Sequence, residues 1–396
     1  MDNFSEQLHQ DKEFDIIIAG AGCAGLSLLY AVLQSPLLKN SKILVIDKSF
    51  EKSNDRTWCF WEAAPGPFES LVCKQWEQIS IHKHSFSKVL PTVPFAYKMI
   101  QGLDFYNYVF HFAKQHTNVI WKEAEVNSID TEGAMGIVKW EGGCVKSKKV
   151  FSSILPIDTL YKLSQSKMAK PFLWQHFKGL MVVFDLNVFD LNVARLMDFN
   201  VDQKNATGFM YILPLTATKA LIEYTLFSKA ILNPSEYDAV LTAYLDAHFP
   251  SATYHIEHEE MGAIPMTTLA LAKSNASIYV IGTLGNAVKS STGYAFQFIQ
   301  EQVKQIVVQL EEGVKPNTEV HYTRHQFYDA VLLYILHHNL MEGSEIFKRI
   351  FEKNTAATIF KFLSNTSSIW EDIQIMRSLP TKIFLPAAFK VLTRRS

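Results

Sequence analysis

The stretch that decides the fold is Phe14-Asp15-Ile16-Ile17-Ile18-Ala19-Gly20-Ala21-Gly22-Cys23-Ala24-Gly25, followed after a small and apolar run by Lys42-Ile43-Leu44-Val45-Ile46-Asp47. The β-branched run Ile16 to Ile18 is apolar on both sides, as a parallel strand covered on two faces must be. It stops at glycine, and apolar residues then continue from Leu26 to Leu38 with Pro36 as the first break, which predicts a helix packed on that strand. Lys42 to Asp47 is the second parallel strand. Gly20, Gly22 and Gly25 fit GxGxxG in the context where that spacing has a mechanism, between a strand and a helix. Gly20 permits the tight turn, Gly22 lets backbone N–H groups approach a pyrophosphate at the positive helix end, and Gly25 lets helix and strand pack closely. Asp47 ends the second strand 22 residues after Gly25, where a carboxylate accepts hydrogen bonds from a ribose or, in a blander reading, serves as a turn residue. A βαβ unit opening the chain favours FAD over NAD by analogy with flavoproteins.

The remainder predicts a mixed α/β composite: a Rossmann-like dinucleotide-binding domain with a parallel sheet, an interleaved antiparallel-sheet substrate domain and a helical C-terminal region. Strands are expected at Leu180 to Phe184, Gly208 to Pro214 and Ala220 to Phe227, a helix from Pro234 to His248, and a late parallel strand at Ile278 to Gly282 followed by a helix from Ala295 to Leu310. The FAD-binding domain is therefore read as discontinuous (1–75, 100–160, 265–312), the substrate sheet as 76–99 and 161–264, and the helical region as 313–396.

A balance of 38 basic against 39 acidic residues removes any electrostatic argument for nucleic acid as a partner. Four cysteines without CxxC pairs suggest neither a metal site nor a disulfide framework. The polar N-terminus lacks the pattern of a secretory signal, and no apolar run is long enough to span a bilayer. These features predict a cytoplasmic chain whose membrane contact, if any, is peripheral.

Four further segments, in order, resemble one family, the flavin-dependent lycopene cyclases of carotenoid synthesis. They are Asp55-Arg56-Thr57-Trp58-Cys59-Phe60-Trp61; Tyr211-Ile212-Leu213-Pro214-Leu215 flowing into Ala220-Leu221-Ile222-Glu223-Tyr224-Thr225; Ile264-Pro265-Met266; and Ser291-Thr292-Gly293-Tyr294. The resemblance implies cyclisation of the linear ends of lycopene, a carotenoid, to β rings by protonation, carbocation closure and deprotonation. It also implies reduced FAD, NAD(P)H as reductant, and cofactor contacts at Gly20, Gly22, Gly25, Asp47, Arg56, Gly282 and Gly293.

Protonating an alkene needs an acid shielded from water, which would level the acid and quench the cation. Glu223 is the candidate, flanked by Leu221, Ile222, Tyr224 and Leu226, although simple alternation also allows a solvent-facing strand position. Trp58, Trp61 and Tyr294, with Phe60, are candidates to line the substrate tunnel and stabilise a cation, core packing being the alternative. Arg56 has two readings, a flavin or phosphate contact or an ion pair with Asp55 or Glu62. A redox flavoprotein on the same scaffold, an aromatic hydroxylase or isoprenoid reductase, is the competing function. Against a hydroxylase, Gly282 is followed by Thr283-Leu284-Gly285-Asn286 where such enzymes carry an Asp. Phe151-Ser152-Ser153 stands where that superfamily carries a second glycine fingerprint.

The last 63 residues carry nine Lys or Arg against five Asp or Glu. Phe347, Ile350, Phe351, Ile359, Phe360 and Leu363, interspersed with basic residues, and Phe384, Phe389 and Leu392 before Arg394 and Arg395 are candidates for docking on the inner face of the cell membrane, or for a helical cap on the core.

Overall fold

The computed structural model describes residues 13–155, 157–165, 170–318 and 323–393. Arg394 and Arg395 lie outside them, as does the N-terminal stretch before residue 13. Ile16–Ala19 and Ile43–Asp47 are parallel neighbours in a five-stranded sheet. Its spatial order is Ile278–Val280, Val150–Ser152, Ile16–Ala19, Ile43–Asp47, Val119–Glu123, with every pairing parallel. Numbered along the chain this is 5-4-1-2-3, the doubly wound order, whose direction of winding reverses between the first strand and Val150–Ser152. Ligands bind at the carboxyl ends of strands at such a reversal because the two loops there diverge and leave a crevice.

Among the described residues, helices cover one face of this sheet only. Cys23–Gln34 and Phe296–Glu311 pack together there through Leu26, Leu29, Ile299, Val303 and Ile306, over Ile16, Ile18, Ile43 and Val45. The alternate residues Ile17, Leu44 and Ile46 face the other way, onto Val138 and Val145 of a four-stranded sheet made by Glu13–Phe14, Val126–Glu132, Met135–Trp140 and Gly143–Ser147. Both faces of the first strand are thus dry, which is why its sequence is uniformly apolar.

The second large element is a seven-stranded sheet in the order Tyr254–Thr267, Phe172–Phe184, Lys219–Ser228, Thr207–Pro214, Val193–Asp198, Gln78–Lys83, Phe86–Pro91. It is antiparallel except between Val193–Asp198 and Gln78–Lys83. Two assignments differ from the sequence reading. Ala96–Gln101 does not join this sheet; it pairs with Thr57–Glu62 and Lys74–Trp76 in a three-stranded sheet. The boundary drawn between residues 264 and 265 falls inside the long edge strand Tyr254–Thr267, to which the whole of Ile264-Pro265-Met266 belongs. An edge tolerates Pro265 because it needs no N–H on its open side.

The seven-stranded sheet is also covered twice. Helix Pro234–His248, started by a capping box between Asn233 and Glu236, buries Tyr237, Leu241 and Leu245 on Ile222, Tyr224 and Leu226. The opposite face, carrying Leu221 and Phe227, is closed by the C-terminal helices through Leu333, Phe347 and Phe360. Five helices, from Arg324–His337 to Thr381–Thr393, make up that region among the described residues. This corrects part of the docking reading: Phe347, Ile350, Phe351, Ile359 and Phe360 are buried core. The exposed apolar side chains lie further on, at Ile369, Trp370, Leu385, Phe389 and Leu392. No helix among the described residues is long and apolar enough to cross a membrane.

Glycine spacing in the first turn makes a separable test. A Cβ on Gly25 would stand 1.9 Å from the Gly20 carbonyl oxygen, whereas one on Gly22, whose φ is −91°, would meet nothing within 4 Å. Gly25→Ala is expected to lower unfolding free energy by about 2–4 kcal/mol through overpacking against backbone. Gly22→Ala is expected to lower it by under about 1 kcal/mol, both read from urea titration of the purified chain.

Candidate active site

One cleft, with about 1630 Å³ of empty space that includes open solvent, begins at the switch point and runs under the seven-stranded sheet. Its first end is backbone: Gly22, Cys23 and Ala24 at the helix start, Ser153 after the fourth parallel strand, and Gly282 with Thr283 after the fifth. Gly22 caps the helix without a side-chain hydrogen bond, so the first-turn N–H groups point into the cleft at the positive end of the helix dipole. Gly282 has φ of +65°, and a Cβ there would press on Ala24 at 2.7 Å, so the two loops approach as closely as they do only because that residue is glycine. Gly20 and Gly25 do not line the cleft; they shape the turn from behind.

Asp47 is more committed than a free ribose acceptor. Its Oδ2 accepts the Ala21 N–H at 2.5 Å, while Oδ1 accepts the Ser49 N–H at 3.0 Å and the Lys52 ammonium at 3.1 Å. The carboxylate therefore holds the glycine turn against the second strand. Arg56 lines the cleft and is half exposed, with Asp55 3.5 Å away, so of the two ion pairs weighed from sequence the one with Asp55 forms. Glu62 is taken instead by Lys98 at 3.0 Å.

In the middle of the cleft two buried oxygens, Gln175 Oε1 and Thr292 Oγ1, have no hydrogen-bond partner within the protein. Gly293, with φ of +73°, leaves room for Gln175: a Cβ there would fall 2.0 Å from Gln175 Oε1. Unpaired buried acceptors are costly, and their place beside an opening lined by loop backbone fits a bound polar group. Uncapped N–H donors at one end and unpaired polar side chains beyond suit a dinucleotide with a hydrogen-bonding ring system.

The far end is aromatic and apolar, lined by Phe177, Leu196, Met197, Phe209, Tyr211, Phe227 and Tyr294, whereas Trp58 borders the cleft from the side of the parallel-sheet core. Trp58 is held edge-on by Phe105 and Tyr106 at 5.3 and 5.7 Å. Tyr294 lies edge-on to Trp61 at 4.7 Å, and its hydroxyl is 3.4 Å from that of Tyr97, which also bonds Tyr211. Trp61 itself is not at the cleft: it stacks on Phe360 at 4.5 Å and donates from Nε1 to Ser364 Oγ at 2.7 Å. Its place is behind Tyr294, as core that ties the helical region to the site wall.

Glu223 sits at this apolar end. It belongs to Lys219–Ser228, where Leu221, Glu223, Thr225 and Phe227 all turn to the cleft while Ile222, Tyr224 and Leu226 turn to the helix. The side chain is 8% exposed, and burial raises its pKa to about 8, with the negative field of Glu260 pushing the same way and a Thr225 hydroxyl bond opposing. Its carboxyl is held neutral by desolvation, with no cation beside it among the described residues.

Sequence reading missed Glu260, Gln175 and Thr225. Glu260 is 5% exposed, accepts from Thr57 Oγ1 at 2.8 Å, and has its pKa raised by burial. In the run Glu257-His258-Glu259-Glu260 nothing local separates it from its exposed neighbour Glu259; only the strand's alternation, seen against the sheet, does.

Comparison with known proteins agrees with this architecture. A lycopene β-cyclase from Pantoea ananas is 26% identical over 261 residues, which cover 64% of this chain and 63% of the length of that relative. Among solved structures, a geranylgeranyl bacteriochlorophyll reductase-like protein from Thermoplasma acidophilum superposes with a TM-score of 0.59 at 12% identity, covering 97% of this chain and 99% of the other. A p-nitrophenol 4-monooxygenase from Pseudomonas putida gives 0.58 at 10% identity over 96% and 98% of the two chains. The halogenase PltM in complex with phloroglucinol and FAD gives 0.51 at 12% over 96% and 85%. These three share the fold. The sequence profile described as lycopene cyclase protein matches residues 15–388, nearly the whole chain, and on that match the chain belongs to the lycopene cyclase protein family.

Proposed function

We propose that this protein is a lycopene β-cyclase, converting the linear ends of a carotenoid to β rings without net redox change. The observation that carries the reading is Glu223: a carboxyl kept protonated to about pH 8 by burial, at the aromatic end of a cleft whose other end is an uncapped helix N-terminus. A redox flavoprotein on the same fold has no need of such an acid at that place.

The cleft suits reduced FAD, with NAD(P)H as its reductant. Gly22, Cys23 and Ala24 would hold the pyrophosphate, with Gly20, Gly25 and Asp47 fixing the turn, while Arg56, Gln175, Thr292, Gly282 and Gly293 would border the flavin. When bound, the reduced flavin supplies an electron-rich surface beside a developing positive charge. The protein's own groups do the remaining work. Glu223 gives its proton to the terminal double bond, because a neutral carboxyl in an apolar pocket is a far stronger acid toward an alkene than one levelled by water. Tyr211 and Tyr294 present π faces and phenol oxygens to the cation, while Trp58 would border the substrate from the parallel-sheet side. Leu196, Met197, Phe209 and Phe227 exclude water, which would otherwise capture the cation as an alcohol.

A hydrocarbon substrate is delivered from a bilayer. Leu385, Phe389 and Leu392 recur at helical spacing on one side of Thr381–Thr393, with Leu385 and Phe389 each 66% exposed, and Lys382 and Lys390 are exposed on the same helix. Trp370, 80% exposed, is a further exposed apolar side chain on the preceding helix, Ile369–Arg377. This combination suits peripheral docking on an anionic membrane face from the cytoplasmic side.

Four outcomes test the reading. Glu223→Gln should keep the flavin spectrum and lower ring formation by roughly 10²–10⁴-fold, with lycopene and cyclised pigments separated by chromatography after coexpression with a lycopene-producing pathway; unreduced β-carotene would contradict it. The raised pKa sets the sign of the pH response. Activity of the parent should hold at neutral pH and fall as Glu223 ionises near pH 8, and the chain should lose stability as pH rises from the ordinary carboxylate range through 8, a loss that Glu223→Gln removes. Gly22→Val should weaken FAD binding at least tenfold with little change in far-UV circular dichroism, since its side chain enters open space at the helix start. The double variant Leu385→Glu, Phe389→Glu should float poorly with anionic vesicles while still binding flavin, and flotation equal to the parent would remove the last helix from the docking face.

A further inference from the structure

Four strands of the large sheet place Tyr211, Glu223, Gly179 and Glu260 in one row. The register pairs Tyr211 with Glu223, Glu223 with Gly179, and Gly179 with Glu260. Directly paired residues share a face of a sheet, so both carboxyls rise on the cleft side, two strands apart, or roughly 10 Å between backbones. The residue between them has no side chain. A Cβ on Gly179 would lie 3.1 Å from Glu260 Cγ and 3.5 Å from Glu260 Oε1, so the Glu260 side chain folds over the glycine toward Glu223. The two carboxyls thereby flank one gap, and both line the cleft.

Their surroundings differ in the way an acid and a base require. Glu223 has a single hydroxyl donor, Thr225, and no cation. Burial raises the pKa of Glu260 too, but unlike Glu223 it has groups that oppose this: Thr57 donates to Oε2 and the Arg56 guanidinium favours the ionised form, which leaves Oε1 directed over Gly179. When two interacting carboxyls share one proton, the one with cations and donors carries the charge and the other carries the proton.

We propose that Glu260 is the proton acceptor of the cyclisation, completing with Glu223 an acid and base pair set across Gly179. The assignment rests on the cyclase reading above. The terminal double bond takes the Glu223 proton, its π electrons forming the new C–H bond and leaving a tertiary cation. A neighbouring double bond attacks that cation to form the ring C–C bond, moving the positive charge into the ring. A C–H bond beside it then breaks; its electron pair becomes the ring double bond and its proton passes to Glu260 Oε1. One proton enters and one leaves, no electron is transferred, and return of the proton to Glu223 across the shared gap resets the pair. Until then the Glu260 charge also stabilises the cation electrostatically.

The test compares the parent, Glu260→Gln and Glu223→Gln, each reconstituted with FAD, reduced with dithionite and supplied with lycopene in phospholipid vesicles made up in D₂O. Parent protein forms β rings carrying deuterium. Glu260→Gln should retain flavin, form β rings at least about 100-fold more slowly, and return linear substrate that has gained deuterium, or rings with a displaced double bond, because protonation still occurs and deprotonation has lost its director. Glu223→Gln should return unlabelled substrate. Ring formation by Glu260→Gln within tenfold of the parent, its failure with unlabelled substrate, or its loss of flavin would each overturn the assignment. Should Glu260→Gln not fold, Thr57→Val, which strips the donor from Oε2, should slow ring formation and show the same deuterium uptake into linear substrate; parent-like behaviour would overturn the assignment equally. A parent that forms no rings defeats the cyclase reading itself, whereas a ring-forming parent with an indifferent Glu260 defeats only the base.

Discussion

The structure turns on a carboxyl placed in a sheet that is dry on both faces. In an ordinary antiparallel sheet one face meets water, and a glutamate among apolar neighbours belongs there. Here helix Pro234–His248 seals one side through Tyr237 and Leu241, and the C-terminal helices with the aromatic cleft seal the other, so Glu223 has no wet face to choose. Desolvation does the rest, and its effect is to favour the neutral acid. Everything around the site maintains that condition: Trp61 stacked on Phe360, Tyr294 against Trp61, and the network in which buried Lys289 meets Asp329 at 2.9 Å and Asn365 at 2.6 Å. That ion pair joins the loop bearing Thr292, Gly293 and Tyr294 to the helical region, so the C-terminal helices serve the site as a wall.

Local pattern made the parallel sheet legible. Ile16 to Ile18, the three glycines and Ile43 to Asp47 have one solution in which a strand, a tight turn and a close-packed helix follow each other, and the structure contains it with Cys23–Gln34 as the helix. Helix Pro234–His248 was equally clear, its start written in Asn233, Pro234 and Glu236. The sheet packed on the other face of the parallel sheet was not foreseen, because Val138 and Val145 alternate with polar residues as any hairpin does, and alternation states that a face is covered without stating by what.

The site was legible to the same limit. Glu223 was singled out by apolar neighbours, yet those neighbours were equally compatible with a solvent-facing strand; only the second cover decides. Trp61 shows the converse, since an aromatic motif marks a well-packed neighbourhood and not which rings reach the cavity. Glu260 was invisible among Glu257 and Glu259 because its meaning depends on Gly179, 81 positions earlier in the chain and adjacent only through strand register. Asp47 was found at the expected place, but its hydrogen bonds to the Ala21 and Ser49 N–H groups arise from tertiary approach that spacing alone does not reveal.

The central claim is that Glu223 is a neutral acid in the folded protein at pH 7. Infrared difference spectroscopy of the parent against Glu223→Gln, in the region of the protonated carboxyl C=O stretch, measures this without reference to turnover. The account predicts a carboxylic acid band present in the parent at pH 7, absent from the variant and titrating away with a midpoint near 8. A difference spectrum showing only carboxylate stretches at pH 7 would mean that Glu223 is ionised, and would contradict it.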